Sequence, residues 1–251
     1  GRAPVITIDA LHGFDLTVVD AGMAKPISAP GDTKLRGSLL LRKIAYGTRN
    51  VLLGPAMSTA QAVSAVHAGM DVVRHLPGNV LALGDVGVAN AVSAALLLSR
   101  LCGVPLVDAF GRDDTEASAL DDTHHVQRVE KLSAAAARHR NAIGPFEALA
   151  ALGGFEIAMM TGAMLQAASE RRVVLVDGYV AGAAALVARG LCPDVVDYLV
   201  FTHRAADAGH RLLLIHMQTQ PLLDMGLRIG QGTGALMAWP MLLAAQSLLE
   251  R

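Results

Sequence analysis

Only two of the 251 residues are cysteine, Cys102 and Cys192. Two thiols in no metal-ligand or framework spacing exclude a disulfide-stapled scaffold and a zinc site of the Cys-rich kind, and they fit a reducing compartment. Both are expected to be buried and inert. Aromatic residues make up 4% of the chain, so its core has to be built from Ala, Val and Leu. Charge of either sign is almost absent on balance, with 21 Lys and Arg against 22 Asp and Glu. A net charge of −1 supplies no field for gripping a phosphate backbone, which argues against a nucleic-acid partner. No uncharged apolar run reaches the roughly 18 residues that a membrane-spanning helix needs. The N-terminus shows no secretory layout. Together these absences lead to the expectation of a cytoplasmic protein with no membrane partner.

What the chain has instead is small apolar residues and glycine-rich turns. Hydrophobic residues reach 53%, a mixture suited to helices packed on a parallel sheet whose strands are buried on both faces. The length fits one α/β domain, residues 1–251. Strands are read at Pro4–Ile8, Phe14–Asp20, Asn79–Leu83, Val173–Val176 and Asp197–Phe201. Helices are read at Ser58–His75, Ala91–Cys102, Asp121–Arg140, Gly154–Glu170 and from Gly178 to Arg189, with Ser58 or Thr59 as an N-cap for the first. Loops are expected at Pro26–Asp32 and Asp113–Asp122. Alternating strands and helices predict a Rossmann-like α/β fold, mostly parallel and flanked by helices.

In such sheets ligands bind beyond the carboxyl ends of the strands. Asp20, Asp85, Asp177 and Thr202 all fall at or just after such ends. Two turns are rich in glycine: Gly84-Asp85-Val86-Gly87-Val88-Ala89-Asn90, and Gly230-Gln231-Gly232-Thr233-Gly234 before a long apolar helix. Glycine allows backbone amides to approach a ligand closely and allows left-handed φ. Two such turns suggest a phosphorylated substrate held by amides, with Gln231 pointing into the pocket. Spacing alone equally fits a tight helix entry at Gly230–Gly234 and an N-cap role for Asp177.

The first of these turns resembles the Gly-Glu-Met-Gly-Ile-(Gly/Ala)-Asn turn of the nicotinate-nucleotide–dimethylbenzimidazole phosphoribosyltransferase family. Further likenesses follow in order along the chain. They are Gly47-Thr48-Arg49-Asn50, Gly54-Pro55-Ala56-Met57, Leu152 to Ala158, Asp177-Gly178-Tyr179, Thr202-His203-Arg204 with Gly209-His210, and Gly230 to Gly234. Any one is weak; the ordered set is specific. The resemblance implies transfer of the phosphoribosyl group of nicotinate mononucleotide to an aromatic base such as 5,6-dimethylbenzimidazole, in cobamide biosynthesis. It implies a homodimer and no cofactor or metal. It places Asp85, Gly87, Val88, Asn90, Arg128, Asp177, Thr202, Gly232 and Gly234 at the substrates, with Arg128 where the family has a Lys.

Three departures stand out. Gln231 occupies the place of the family's general-base Glu, and an amide cannot take a proton near neutral pH. Asp85 replaces a Glu, and Ala91-Val92-Ser93 replaces a Thr-rich run. Segments that flank Ala10/Leu11 are normally tens of residues apart in the family, so residues are expected to be missing at this junction and before Gly1, with a naturally shortened protein as the alternative. A small helical subdomain would then be incomplete. Two readings stay open: a transferase, and a catalytically weak paralogue that binds the nucleotide or partners an active subunit. Arg204 and His210 read more readily as solvated than as functional. His124-His125 reads as a helix-surface pair, and Met159, Met160 and Met164 as core packing or a subunit contact.

Overall fold

The computed structural model describes residues 13–25, 37–111, 119–228 and 230–249. The strand expected at Pro4–Ile8 and the loop at Pro26–Asp32 lie outside them, as does the 10/11 junction.

In chain order the elements are β1 (Leu16–Asp20), β2 (Gly37–Leu41), α1 (Thr59–Arg74), β3 (Val80–Leu83), α2 (Asn90–Cys102) and α3 (Leu106–Phe110). Then come α4 (Ala119–Arg138), α5 (Pro145–Leu152), α6 (Phe155–Ser169), β4 (Val173–Val176) and α7 (Gly178–Leu191). A 3-10 helix (Pro193–Tyr198), β5 (Leu199–Phe201), β6 (His203–Ala205), α8 (Ala208–Met217), β7 (Leu223–Leu227) and α9 (Thr233–Leu249) complete the order. Every strand pairing among the described residues is parallel, in sheets β1-β2, β3-β4-β5 and β6-β7. The α/β expectation therefore holds, with the pairing divided among three short sheets.

Register matters most in the central sheet. Leu83 pairs with Val176, and Val176 pairs with Phe201. All three strands run the same way, so the residues that follow them, Gly84, Asp177 and Thr202, emerge in a row along one edge. This is the crevice edge where α/β sheets bind ligands.

The helices form where caps and apolar spacing direct them. Ser58 caps α1 through its side chain, which accepts from the Gln61 amide at 3.2 Å, while Gln61 Oε1 accepts from the Ser58 amide at 3.0 Å. This reciprocal pair satisfies two otherwise orphaned donors. Pro145 opens α5 at the first helical position, where its missing N–H costs nothing. Sequence periodicity did not reveal α3, α5, α8, β2, β6 or β7. The strand expected from Asp197 begins only at Leu199, because the Pro193–Tyr198 segment coils. The loop expected over Asp113–Asp122 gives way to α4 from Ala119.

The core is centred on α6, whose residues from Ile157 to Met164 are all buried. Met159, Met160 and Met164 are all buried. The subunit contact allowed for α6 is thereby displaced: its faces meet α1 and α7 of the same chain. Two glycines make the α1–α6 crossing tight. A Cβ at Gly69 would overlap the Met159 carbonyl, and one at Gly162 would overlap the Val66 carbonyl. Cys102 is half-buried and Cys192 exposed, which corrects the expectation that both are buried.

Gly69→Ala tests this crossing. Alanine ordinarily favours a helix over glycine by about 0.5–1 kcal/mol. Here the added methyl strikes backbone, which cannot rotate away, so an overpacking cost of about 1–3 kcal/mol outweighs that gain. Urea denaturation should show a lower midpoint; an unchanged or raised one would show that the two helices are not held by this contact.

Candidate active site

The two glycine turns touch. A Cβ on Gly84 would overlap the backbone of Gln231 and Gly232. Residues 148 positions apart in sequence (232 − 84) thus come within backbone contact, and only glycine at position 84 permits it. Both turns also carry a non-glycine residue in left-handed conformation, Ala89 with φ 59° and Gln231 with φ 66°. Such backbones cost of order 1–3 kcal/mol each and persist only where the surroundings fix them.

Asp177 does the fixing on one side. Its carboxylate accepts the Gly232 amide at 2.7 Å on Oδ2 and the Ala235 amide at 3.1 Å on Oδ1. It stands at the N-cap position of α7, yet its side chain makes no capping bond there. It caps α9 instead, where an anion complements the orphan amides and the positive end of the helix. The N-cap role read from Gly178 is therefore correct in kind and assigned to the wrong helix. Gly234 is required by the same packing, since a Cβ there would overlap His203 Nδ1 and Asp177 Oδ1.

Thr202 is fully buried, and its hydroxyl donates to the Val176 carbonyl at 2.9 Å. Both Thr202 and Asp177 are thus occupied within the protein. Asp85, on the turn after β3, is half-buried and accepts from the Asn90 side-chain amide. Gly87 is needed for that arrangement, because a Cβ there would overlap the Asn90 side chain. Gln231 and Gly87 are solvent-exposed, and Val86 and Val88 stand exposed beside Gly87 at 72% and 98%. Uncovered valines at a glycine turn form an apolar rim facing solvent.

Arg128 belongs to a neighbouring pocket. Its guanidinium lies 4.9 Å from the centre of the Phe110 ring. With Asn50, Val92, Phe110 and Lys131 it lines a cavity of about 240 Å³. Val92 lies in the first turn of α2, so this cavity adjoins the Gly84–Asn90 turn through that helix. His125 stacks on the same Phe110 ring, with ring centres 5.9 Å apart. Among the described residues no group of His, Cys, Asp or Glu is arranged to hold a metal ion.

Three residues at the site were not among the expected site residues. His203 and His210 are each 1% exposed. His210 was read as solvated; its Nδ1 accepts the Ala205 amide at 3.0 Å, inside the fold. Only Arg204 of that block is at the surface, paired with Asp224 at 2.9 Å. Glu156, in the first turn of α6, is half-buried near Asp85. The Gly153-Gly154-Phe155-Glu156 block was the available signal for it.

Three carboxyl groups therefore crowd the site. Burial pushes Asp177 up to about 6, against the stabilising amides of Gly232, Ala235 and Gly234. Burial also raises Asp85 to about 6; the Asn90 bond opposes this, and the charges of Asp177 and Asp207 add to it. Glu156 is raised as well, by burial and then by Asp85. His210 is pushed down to about 3 by burial and then by His203.

Comparison with known proteins agrees with this geometry. A family model described as a phosphoribosyltransferase matches residues 1–251. The nicotinate-nucleotide–dimethylbenzimidazole phosphoribosyltransferase of Cupriavidus taiwanensis is 46% identical over 254 residues, covering all of this chain and 70% of that protein. The protein of the same name from Variovorax paradoxus is 44% identical over 250 residues, with 69% of it covered.

The chain belongs to the nicotinate-nucleotide–dimethylbenzimidazole phosphoribosyltransferase family.

Solved structures agree in fold. CobT from Thermus thermophilus superposes with a TM-score of 0.85 at 31% identity, covering 97% of this chain and 71% of that one. A second structure from the same organism, named for the same phosphoribosyltransferase, gives 0.87 at 30% identity, with coverages of 99% and 72%.

The crowded carboxyls make stability depend on pH with a definite sign. In the unfolded chain Asp85 and Asp177 titrate near 3.8. Between about 4 and 6 the folded protein therefore holds more protons, and these two groups make stability fall as pH rises. His210 acts oppositely between about 3 and 6.5, because there the unfolded chain holds the extra proton. Asp85→Asn removes one falling contribution. Relative to the parent, its thermal midpoint should climb from pH 4 to pH 6 and then keep a constant offset. A relative decline over that window would contradict the buried, raised carboxyl.

Proposed function

We propose that this chain transfers the 5-phosphoribosyl group of nicotinate mononucleotide to an aromatic nitrogen base of the dimethylbenzimidazole class, releasing nicotinate. The observation that carries the reading is the meeting of the two glycine turns, with residue 231 exposed where they join. The names of the relatives support the substrates.

In this reading the ring nitrogen of the base forms a bond to the anomeric carbon as the bond to nicotinate breaks, with inversion at that carbon. The nucleotide lies along the Gly84–Asn90 turn, whose left-handed Ala89 turns the chain into α2. Amides at that helix start and the Arg128 cation adjoining it suit the 5′-phosphate. Asp85, Gly87, Val88 and Asn90 would face the nucleotide, and Asp177, Thr202, Gly232 and Gly234 would fix the turn that carries residue 231. Gln231 hydrogen-bonds the acceptor base and orients it, and the base's proton leaves to water because an amide does not accept it. Orientation of the reactants alone supplies a large part of such a barrier.

The amide at position 231 also favours a second reading, a catalytically weak member that binds the nucleotide or pairs with an active subunit. Mass analysis of products from nicotinate mononucleotide and dimethylbenzimidazole separates the two. On the transferase reading α-ribazole 5′-phosphate and nicotinate form slowly. Gln231→Glu should then raise kcat about 10²-fold or more, the usual scale of a positioned general base. The gain should fall mainly on kcat, because Gln and Glu have nearly the same shape. No product from the parent and no gain from the substitution would favour the second reading.

We extend the proposal to a cytoplasmic homodimer. Among the described residues no helix is long and apolar enough to cross a membrane. Exposed apolar side chains on α9, Met241, Leu243, Leu248 and Leu249, suit a subunit contact better than the covered α6 does. Sedimentation at micromolar concentration should give twice the chain mass; a monomer there would exclude the dimer.

A further inference from the structure

His203, next to Thr202, is not used by the chemistry above, yet both are wholly buried beside Asp177. Hydrogen bonding fixes what the His203 ring does there. The Thr202 hydroxyl spends its proton on the Val176 carbonyl at 2.9 Å. Toward His203 Nδ1, 3.3 Å away, it has only lone pairs to offer. A proton on Nδ1 suits both of its neighbours, the Thr202 lone pairs and the Asp177 carboxylate. The same Nδ1 stands 3.5 Å from Asp177 Oδ1, the oxygen that also accepts the Ala235 amide. Asp177 is 2% exposed, so water does not compete for it.

We infer that His203 is a positioning residue for position 231: its Nδ1–H, steadied by Thr202, sets the rotation of the Asp177 carboxylate, and that carboxylate holds the amides of the turn. This grip accounts for the left-handed backbone that Gln231 keeps at φ 66°. The turn is pinned at Gly232 and Ala235, on the C-terminal side of Gln231, and by Gly84 against its backbone. If Asp177 rotates, both amides lose their acceptor and the strain at residue 231 is released. The charged and titratable groups facing the pair come from several elements. They are His210 of α8, with ring centre 6.1 Å from that of His203, Asp207 before α8, and Asp85 after β3. Gly234 admits the ring, since any side chain there would collide with it.

The inference rests on the transferase reading for its kinetic consequence and on geometry alone for the contact. The experiment therefore has two arms. In the first, a ¹⁵N spectrum of the parent protein assigns the His203 tautomer; a proton on Nδ1 is expected, and one on Nε2 alone would overturn the inference. In the second, His203→Leu and His203→Asn are compared, since the Asn amide nitrogen overlays Nδ1 and Leu offers no donor. His203→Leu should displace the Gly232 and Ala235 amide resonances. It should lower kcat roughly 10- to 100-fold, the scale of a misplacement of about 1 Å, with KM for nicotinate mononucleotide within about twofold. His203→Asn should restore most of both. If Leu changes neither resonances nor kcat, or if Asn fails as badly as Leu, the ring only fills space and the inference is wrong. Should the parent itself prove inactive, the transferase reading fails, while the tautomer and the amide resonances still decide the contact. If His203→Leu does not fold, the tautomer and the Asn variant carry the decision.

Discussion

The site depends on one buried carboxylate reaching across the fold. Asp177 leaves the central strand and grips the start of the last helix, 55 residues later, through the amides of Gly232 and Ala235. That grip presses the second glycine turn onto Gly84, and so onto the first. A hydrogen bond to an ionised acceptor is worth about 1.5–3 kcal/mol, roughly twice a neutral one. Two such bonds are enough to offset the strain of a left-handed glutamine, about 1–3 kcal/mol. Without them the Gly230–Gly234 segment would have no reason to hold residue 231 at the rim.

Burial is what makes the arrangement both stiff and costly. The carboxylate that grips the amides is raised toward neutrality by the same desolvation that keeps water away from them. Asp85 and Glu156 share that environment, so the site collects protonatable groups whose pKa values move together. Functional sites commonly concentrate such perturbed groups. Here the helices behind them carry the expense: α6 and α7 are buried along most of their length, and the close packing of α6 on α1 depends on Gly69 and Gly162. The buried helical layer thus supports the turns on which the proposed chemistry lies.

How much of this was legible depended on range. The α1 cap, the β3-to-α2 turn and the Val173–Val176 strand were readable because their signals are local: Ser58 three residues before Gln61, Gly84 directly after Leu83, a four-residue apolar run. The row of Asp85, Asp177 and Thr202 at strand ends was readable for the same reason. What could not be read was pairing at a distance. Asp177 before Gly178 looks like a cap for the helix that follows, and only the fold shows that the amides it takes belong to α9. His210 sits in a polar stretch with Arg204 and Asp207, which reads as surface. It is buried because α8 turns that face inward against Tyr179, whose hydroxyl donates to the Ala109 carbonyl at 2.7 Å. Short elements such as α3, β6 and β7 carry too few residues for a period to show. The position of Gln231 was legible through the family's glycine turn, and its chemistry through the absence of a carboxylate there.

A crystal structure of the chain with nicotinate mononucleotide and dimethylbenzimidazole bound tests the central claim most directly. The account predicts the ribose over the Gly84–Asn90 turn and a ring nitrogen of the base within hydrogen-bond distance of the Gln231 amide. The Asp177 bonds to Gly232 and Ala235 should be unchanged. Both ligands bound away from the Gly84–Gly232 contact, or bound there with Asp177 released from the turn, would contradict it.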